Sequence, residues 1–158
     1  HYGYERFFEK CEELDVGAII LPDLPYEEKE EMEEPAAAHN VHLISMIAPT
    51  SEARIQSIAE EAHGFIYVVS SMGVTGVRSE IKTDLASIVE SIRKVTDTPC
   101  AIGFGISTPE QAEKMAAVSD GAIVGSAIVK LIAKYGADAA PHLYEYVKSM
   151  KEAVVSAY

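Results

Sequence analysis

The sequence has no tryptophan, only two cysteines, and 13 basic side chains against 25 acidic ones, a formal net charge of −12. Each scarcity excludes something. The shortage of Lys and Arg argues against a polyanionic partner such as nucleic acid or an anionic membrane surface. Cys11 and Cys100 are too few for a disulfide framework, and a reducing, cytoplasmic setting is the simplest one for them. No apolar run approaches the ~20 residues of a membrane helix. No charged-then-apolar leader precedes the first pattern, so no signal peptide is read, although the first residue is His1 and not Met. What remains is 158 residues, 48% hydrophobic and 24% charged. That composition predicts an ordinary globular protein with one domain over 1–158.

The first pattern is helical. Tyr4, Phe7, Phe8, Cys11 and Leu14 recur at i, i+3, i+4, i+7 and i+10, an amphipathic stripe. The period then changes. Ala18-Ile19-Ile20-Leu21, bounded by Gly17 and Pro22, is a short continuous apolar run, as expected of a strand buried on both faces. Similar runs follow at Leu43 to Ala48, Phe65 to Val69, Cys100 to Ile102 and Ala122 to Val124. Helical stripes lie between them: Ile55, Ile58, Ala59 and Ala62, then Leu85, Ile88, Val89, Ile92 and Val95. Weaker helices are predicted over Tyr26 to His39 and Pro109 to Ala117, and a last one carries Leu143, Val147, Met150 and Val154. A helix followed by five strand–helix repeats needs right-handed crossovers and makes a parallel sheet covered by helices. The fold class is α/β. A five-stranded doubly wound sheet fits the length. An incomplete (β/α)8 barrel of about five units fits the position of the glycines better, since their turns come late in the chain.

In either architecture a ligand binds at the carboxyl ends of the strands. The first strand runs into Pro22-Asp23-Leu24-Pro25, where Asp23 is either a turn aspartate or a group that orients substrate. The second ends in Pro49-Thr50-Ser51-Glu52, which a hydroxyl N-cap explains. The third carries Tyr67 and then Ser70-Ser71-Met72-Gly73-Val74-Thr75-Gly76-Val77, a glycine- and hydroxyl-rich loop that reads either as a lid or as a long connection. The fourth ends Gly103-Phe104-Gly105-Ile106-Ser107-Thr108-Pro109-Glu110-Gln111. Thr108 and Gln111 have capping-box spacing, Pro109 suits the first helical position, and the preceding glycines let backbone amides approach an anion. The fifth ends Gly125-Ser126-Ala127-Ile128. Two glycine turns on successive late strands match the phosphate site of barrel enzymes. No Walker loop and no Gly-x-Gly-x-x-Gly is present.

Other features read as structural. Asn40 marks a helix end between His39 and His42, which argues against a shared metal, and His1, His63 and His142 have no ligand spacing. The six glutamates from Glu27 to Glu34 form a solvated helix face, with Pro35 expected to kink or shorten that helix. Cys100 lies inside an apolar strand and belongs to the core. No metal site and no nucleophile–base arrangement is read.

Taken together, Leu21-Pro22-Asp23-Leu24-Pro25, Gly73-Val74-Thr75-Gly76, Gly103-Phe104-Gly105-Ile106-Ser107 and Gly125-Ser126-Ala127-Ile128-Val129-Lys130 resemble, in order and spacing, the C-terminal three-fifths of the tryptophan synthase alpha subunit family. The resemblance implies a (β/α)8 barrel lyase that cleaves indole-3-glycerol phosphate to indole and glyceraldehyde 3-phosphate. It implies a partner beta subunit, in an alpha2beta2 complex, that holds pyridoxal phosphate; the alpha chain itself would carry no cofactor. By the same resemblance Gly76, Gly105, Gly125 and Ser126 would bind the substrate phosphate. Gly103 and Phe104 would line that pocket, and Tyr67 would border the glycerol or indole. Thr75 would sit on a mobile loop, Asp23 would face the substrate side, and Leu24 and Pro25 would meet the beta subunit.

The departures are as informative. The family's two catalytic carboxylates lie upstream of anything in these 158 residues, so no catalytic residue is assigned. Ser71 stands where some members have arginine, and Pro35 is a local difference. The length is about 100 residues short of a full barrel, which predicts that this chain alone binds phosphate poorly and does not turn over substrate.

Overall fold

The computed structural model describes residues 2–70 and 84–158. The chain opens with helix α1 (Tyr4–Glu13) and strand β1 (Ala18–Ile19). A 3₁₀ turn (Tyr26–Glu28) and helix α2 (Glu30–Ala38) follow, then β2 (His42–Leu43), β3 (Ser45–Ile47) and α3 (Glu52–Glu60). After β4 (Ile66–Val69) come α4 (Leu85–Arg93), β5 (Cys100–Gly103), α5 (Pro109–Ala116), β6 (Gly121–Ile123), α6 (Ser126–Tyr135) and α7 (Ala139–Ser156). Every strand pair is parallel: β1 with β2, and β3, β4, β5 and β6 side by side in chain order. A doubly wound sheet reverses its strand order at a switch point. Among the described residues the order does not reverse, which is how the strands of a (β/α)8 barrel succeed one another, and the doubly wound alternative is set aside.

The apolar run from Leu43 to Ala48, read as one strand, is divided. His42–Leu43 pairs with β1 and Ser45–Ile47 pairs with β4. Between them Ile44 is buried, and its N–H donates to the Ile19 carbonyl at 2.9 Å. Strands of a barrel are tilted and staggered, so the two edges of one strand meet their neighbours at different heights. The run serves one neighbour with each half.

Burial alternates along the strands. Ile47, Ile66, Val68, Cys100 and Ile102 are fully buried against Ile55, Ile58 and Ala59 of α3 and Leu85, Ile88, Val89 and Ile92 of α4. Met46, Tyr67, Ala101 and Gly121 form the next row by register and are only half-buried. The strands are therefore dry on the helix side and partly wet on the other, not buried on both faces as their composition predicted. The first run departs furthest: β1 spans only Ala18–Ile19, Ala18 is exposed, and Ile20 is 41% exposed. The α1 stripe is likewise half used. Phe8 and Cys11 pack with Met32, Ala36 and Val41 of the α2 region, while Tyr4, Phe7 and Leu14 remain exposed.

Helix ends follow local chemistry. Ser51 and Asp84 accept the N–H of Arg54 and Ser87, and Thr108 with Gln111 forms the expected capping box ahead of Pro109. The segment over Tyr26 to His39 differs from its prediction. It is interrupted at Lys29, whose ammonium bonds Glu33 at 2.8 Å and Glu61 at 2.7 Å, and α2 then runs through Pro35 to Ala38. The interruption sits where the chain leaves its 3₁₀ turn, and Pro35 neither begins nor ends the helix. Glu30, Glu31 and Glu33 occupy its first turn, favourable to the macrodipole. No helix among the described residues is long and apolar enough to cross a membrane.

Candidate functional site

Parallel pairing brings the late strand ends together. Val69 of β4 is in register with Gly103 of β5, and Gly103 with Ile123 of β6. The segments that leave these positions, Ser70, Phe104-Gly105 and Val124-Gly125-Ser126, therefore start from one level of the sheet. Tyr67 lies on the same face as Val69, one alternation earlier. A Cβ built on Gly103 would overlap the Tyr67 hydroxyl and Cζ and lie 2.7 Å from Cε1. Glycine at 103 is thus what admits the Tyr67 ring. Burial pushes the Tyr67 phenol up from its ordinary value, so it stays a neutral hydroxyl at physiological pH.

Beyond Gly103 the backbone turns through two left-handed residues, Phe104 at φ 88° and Gly105 at φ 77°. For phenylalanine this conformation is costly and marks a constrained site. Three contacts hold the turn. Ser70, buried, places its Oγ 3.0 Å from the Gly103 carbonyl and 2.8 Å from that of Phe104. Ile106 is buried against Ala112 and Met150. Tyr146 of α7 donates its hydroxyl to the Ser107 carbonyl at 2.9 Å.

The two glycine turns are not equivalent. The start of α5 is satisfied from within, since Gln111 Oε1 accepts from the Ser107 and Thr108 amides and Thr108 Oγ1 accepts from Gln111. The start of α6 has Gly125 as its N-cap, no side-chain cap and no acid in its first turn. Its ten residues place the positive end of a helix dipole, with uncapped amides, at exposed Gly125 and Ser126. A dianion suits that end.

The other predicted positions fall elsewhere. Asp23 is exposed in the turn after β1, whereas Leu24 is partly buried with Leu21 and Leu43 and Pro25 is exposed. Leu21, Leu24, Leu43, Ile44, Met46 and Ile58 border a small cavity of about 70 Å³ there. Thr75 and Gly76, with Ser71 and Gly73, lie outside the described residues. His39 pairs with α1: its Nδ1 is 2.7 Å from Glu12, a hydrogen bond that raises its pKa, with Glu5 also near. Among the described residues no three His, Cys, Asp or Glu side chains gather as a metal site would require. Cys100 is fully buried and its thiol is pushed up by that burial, as a core cysteine's would be.

Ser70 and Tyr146 are the residues that sequence reasoning passed over. Ser70 had a signal, because Ile66, Val68 and Ser70 fall on one face at strand spacing, and a hydroxyl at a buried position needs a partner. Tyr146 had none, because its partner is a backbone carbonyl 39 residues away.

The family model of the tryptophan synthase alpha chain matches residues 1–155. The chain is 47% identical over 153 residues to the tryptophan synthase alpha chain of Lacticaseibacillus casei, covering 97% of this chain and 58% of that one. It is 49% identical over 154 residues to that of Lactiplantibacillus plantarum, with the same coverage. Among solved structures it superposes on tryptophan synthase subunit alpha from Campylobacter jejuni with a TM-score of 0.78 at 33% identity, covering 96% of this chain and 58% of that one. It superposes on a chain of the tryptophan synthase a2b2 complex from Pyrococcus furiosus with a TM-score of 0.80 at 29% identity, covering 95% and 61%. The chain spans a little under three-fifths of the length of these relatives.

Proposed function

The chain belongs to the tryptophan synthase alpha chain family, and from that premise we propose that it forms the phosphate-gripping part of a lyase acting on indole-3-glycerol phosphate. The reaction is a retro-aldol cleavage. The bond between indole C3 and the first glycerol carbon breaks, C3 gains a proton, and the adjacent hydroxyl loses one as glyceraldehyde 3-phosphate forms. The observation that carries the reading is the pairing of two features at one end of the sheet: the left-handed Phe104-Gly105 turn and the uncapped start of α6.

In this reading the amides of Gly105 and Gly125 and the amide and hydroxyl of Ser126 hold the phosphate dianion, helped by the α6 dipole. Gly103 and Phe104 line the pocket. The Tyr67 ring, seated over Gly103, borders the glycerol or the indole. By the family resemblance Gly76 also binds the phosphate and Thr75 assists at the substrate; both lie outside the described residues. Leu24 and Pro25 meet a beta subunit that carries pyridoxal phosphate, in an alpha2beta2 assembly, and the alpha chain itself uses no cofactor. Residues 1–158 act as one domain, in the cytoplasm.

The proton transfers need at least two positioned acid–base groups. Asp23 and Tyr67 are the titratable candidates on these strand ends, and the Tyr67 phenol is held protonated by its burial. Neither supplies a base beside an acid; by the family resemblance the two catalytic carboxylates lie outside these residues, and the 158-residue chain alone does not turn over. The test joins the amino-terminal two-fifths of the Lacticaseibacillus casei alpha chain to this chain and measures indole release from indole-3-glycerol phosphate. Turnover by the joined protein and none by the 158 residues is the expected result. A folded but inactive joined protein, or indole release by the 158 residues alone, overturns the reading.

A further inference from the structure

We propose that Ser70 is a positioning residue for the phosphate turn, its hydroxyl aiming the amides of Phe104 and Gly105 at the substrate's anionic group. This rests on the phosphate reading above and adds a residue that reading does not use.

The argument is geometric. Ser70 is 1% exposed. Its backbone N–H donates to the Gly103 carbonyl at 3.0 Å, which continues the β4–β5 pairing by one residue. Its hydroxyl lies 3.0 Å from that same carbonyl and 2.8 Å from the Phe104 carbonyl. One hydroxyl proton is thus shared between two acceptors, and both carbonyls converge on one buried side chain. No peptide bond in the described chain is cis. In a planar trans peptide the N–H points opposite to the C=O. Fixing the carbonyls of Gly103 and Phe104 on Ser70 therefore turns the next two amides, those of Phe104 and Gly105, away from it.

Those amides donate to no backbone carbonyl among the described residues, and both residues are exposed. Successive amides turned to one side make an anion-binding concavity. The left-handed Phe104 is the strained member of the pair, and a strained residue persists only where its surroundings over-determine it. The Ser70 hydroxyl supplies that determination. Ser70 touches no substrate in this arrangement and acts through the turn.

The experiment titrates the ¹⁵N-labelled joined protein described above, which completes the barrel around these 158 residues, with sn-glycerol 3-phosphate, with glycerol as the phosphate-free control, following the Phe104 and Gly105 amide resonances. In the wild type both shift with the phosphate ester and not with glycerol. Ser70→Ala weakens that binding by about fivefold, the loss of one hydrogen bond's net contribution, and Ser70→Thr, which keeps the hydroxyl, restores it. Ser70→Cys keeps the volume with a much weaker donor and serves if the alanine variant does not fold. A folded Ser70→Ala or Ser70→Cys with wild-type affinity overturns the positioning role and leaves the phosphate site standing. Absence of the shifts in the wild type overturns the phosphate reading and the role of Ser70 with it.

Discussion

The ring of Tyr67 occupies the space that any side chain at Gly103 would need. The two residues sit on adjacent strands, β4 and β5, on the face away from the helices, and each fixes the other's identity. Gly103→Ala forces the Tyr67 ring and its strand apart, at a cost of about 1–3 kcal/mol for overpacking. Tyr67→Ala on the Gly103→Ala background removes the clash, so the double variant is less destabilised than the sum of the single ones. Urea denaturation of the four proteins in this cycle measures the coupling. Strict additivity would show that the ring moves aside freely.

How much of this was legible in the sequence depends on how local the cause is. The capping box at Thr108 and Gln111, the Ser51 cap and the glycine turns were readable because a few neighbouring residues determine them. The parallel pairing followed from the alternation of periods, and the late glycine turns favoured the barrel order over the doubly wound one. Three other features were not readable. The division of the Leu43–Ala48 run at Ile44, the half-wet row of Met46, Tyr67 and Ala101, and the burial of Ser70 all depend on what lies across the sheet. A run of Val and Ile looks the same whether one face is covered or two. The exposed part of the α1 stripe, Tyr4, Phe7 and Leu14, teaches the same lesson: periodicity marks an apolar face, and only the neighbours decide how much of it is used.

The contact of His39 with Glu12 links α2 to α1 and makes part of the stability depend on pH. The Glu12 hydrogen bond raises the imidazole pKa, with Glu5 and Glu9 adding to it. A raised folded-state value means that the contribution is fully present below the unfolded histidine pKa of about 6.5. It is lost as pH rises through the folded value. Glu12→Gln removes the largest part of that dependence and leaves the smaller contributions of Glu5 and Glu9. Proton NMR titration of His39 therefore shows a lower pKa in the variant, and the difference in melting temperature between wild type and variant is larger at pH 6 than at pH 8. An equal difference at both values would mean that the pair contributes nothing in solution.

At the opposite end of the sheet from the glycine turns, Asp120 closes the entry into β5 and β6. Its Oδ2 accepts the Cys100 N–H at 2.7 Å and pairs with Arg93, whose other nitrogen donates to the Thr98 carbonyl at 3.0 Å. Burial pushes the Asp120 carboxyl up, but the Cys100 amide and the Arg93 guanidinium together outweigh it and hold the pKa below its ordinary value. The stability this supplies is present above the unfolded carboxyl value of about 3.9 and disappears as pH falls through the lower folded value. Asp120→Ala leaves the Cys100 amide without its partner and costs about 1–3 kcal/mol at neutral pH. The same variant opens the strand start beside the Cys100 thiol. Reaction of Cys100 with a thiol reagent, blocked by burial in the wild type, becomes faster as measured by labelling and mass spectrometry. Unchanged stability together with unchanged labelling would count against the clasp.

Pro35 gives the last prediction. It lies inside α2, where it has no N–H to offer the Glu31 carbonyl, and its ring crowds that same carbonyl. The helix nevertheless continues to Ala38, held by Met32 and Ala36 against Phe8 and Cys11. Tertiary packing thus overrides a local cost that in an isolated helix is about 3 kcal/mol. Pro35→Ala restores the missing bond and removes the crowding, and it also frees the unfolded chain, an opposing effect of about 0.4–1 kcal/mol. The balance favours the variant by about 2–2.6 kcal/mol, read as a raised midpoint in urea denaturation. Because Pro35 is far in sequence from Tyr67, Ser70 and the glycine turns, sn-glycerol 3-phosphate affinity should not change. A destabilised Pro35→Ala would show that the proline's restriction of the unfolded chain outweighs the hydrogen bond it forgoes.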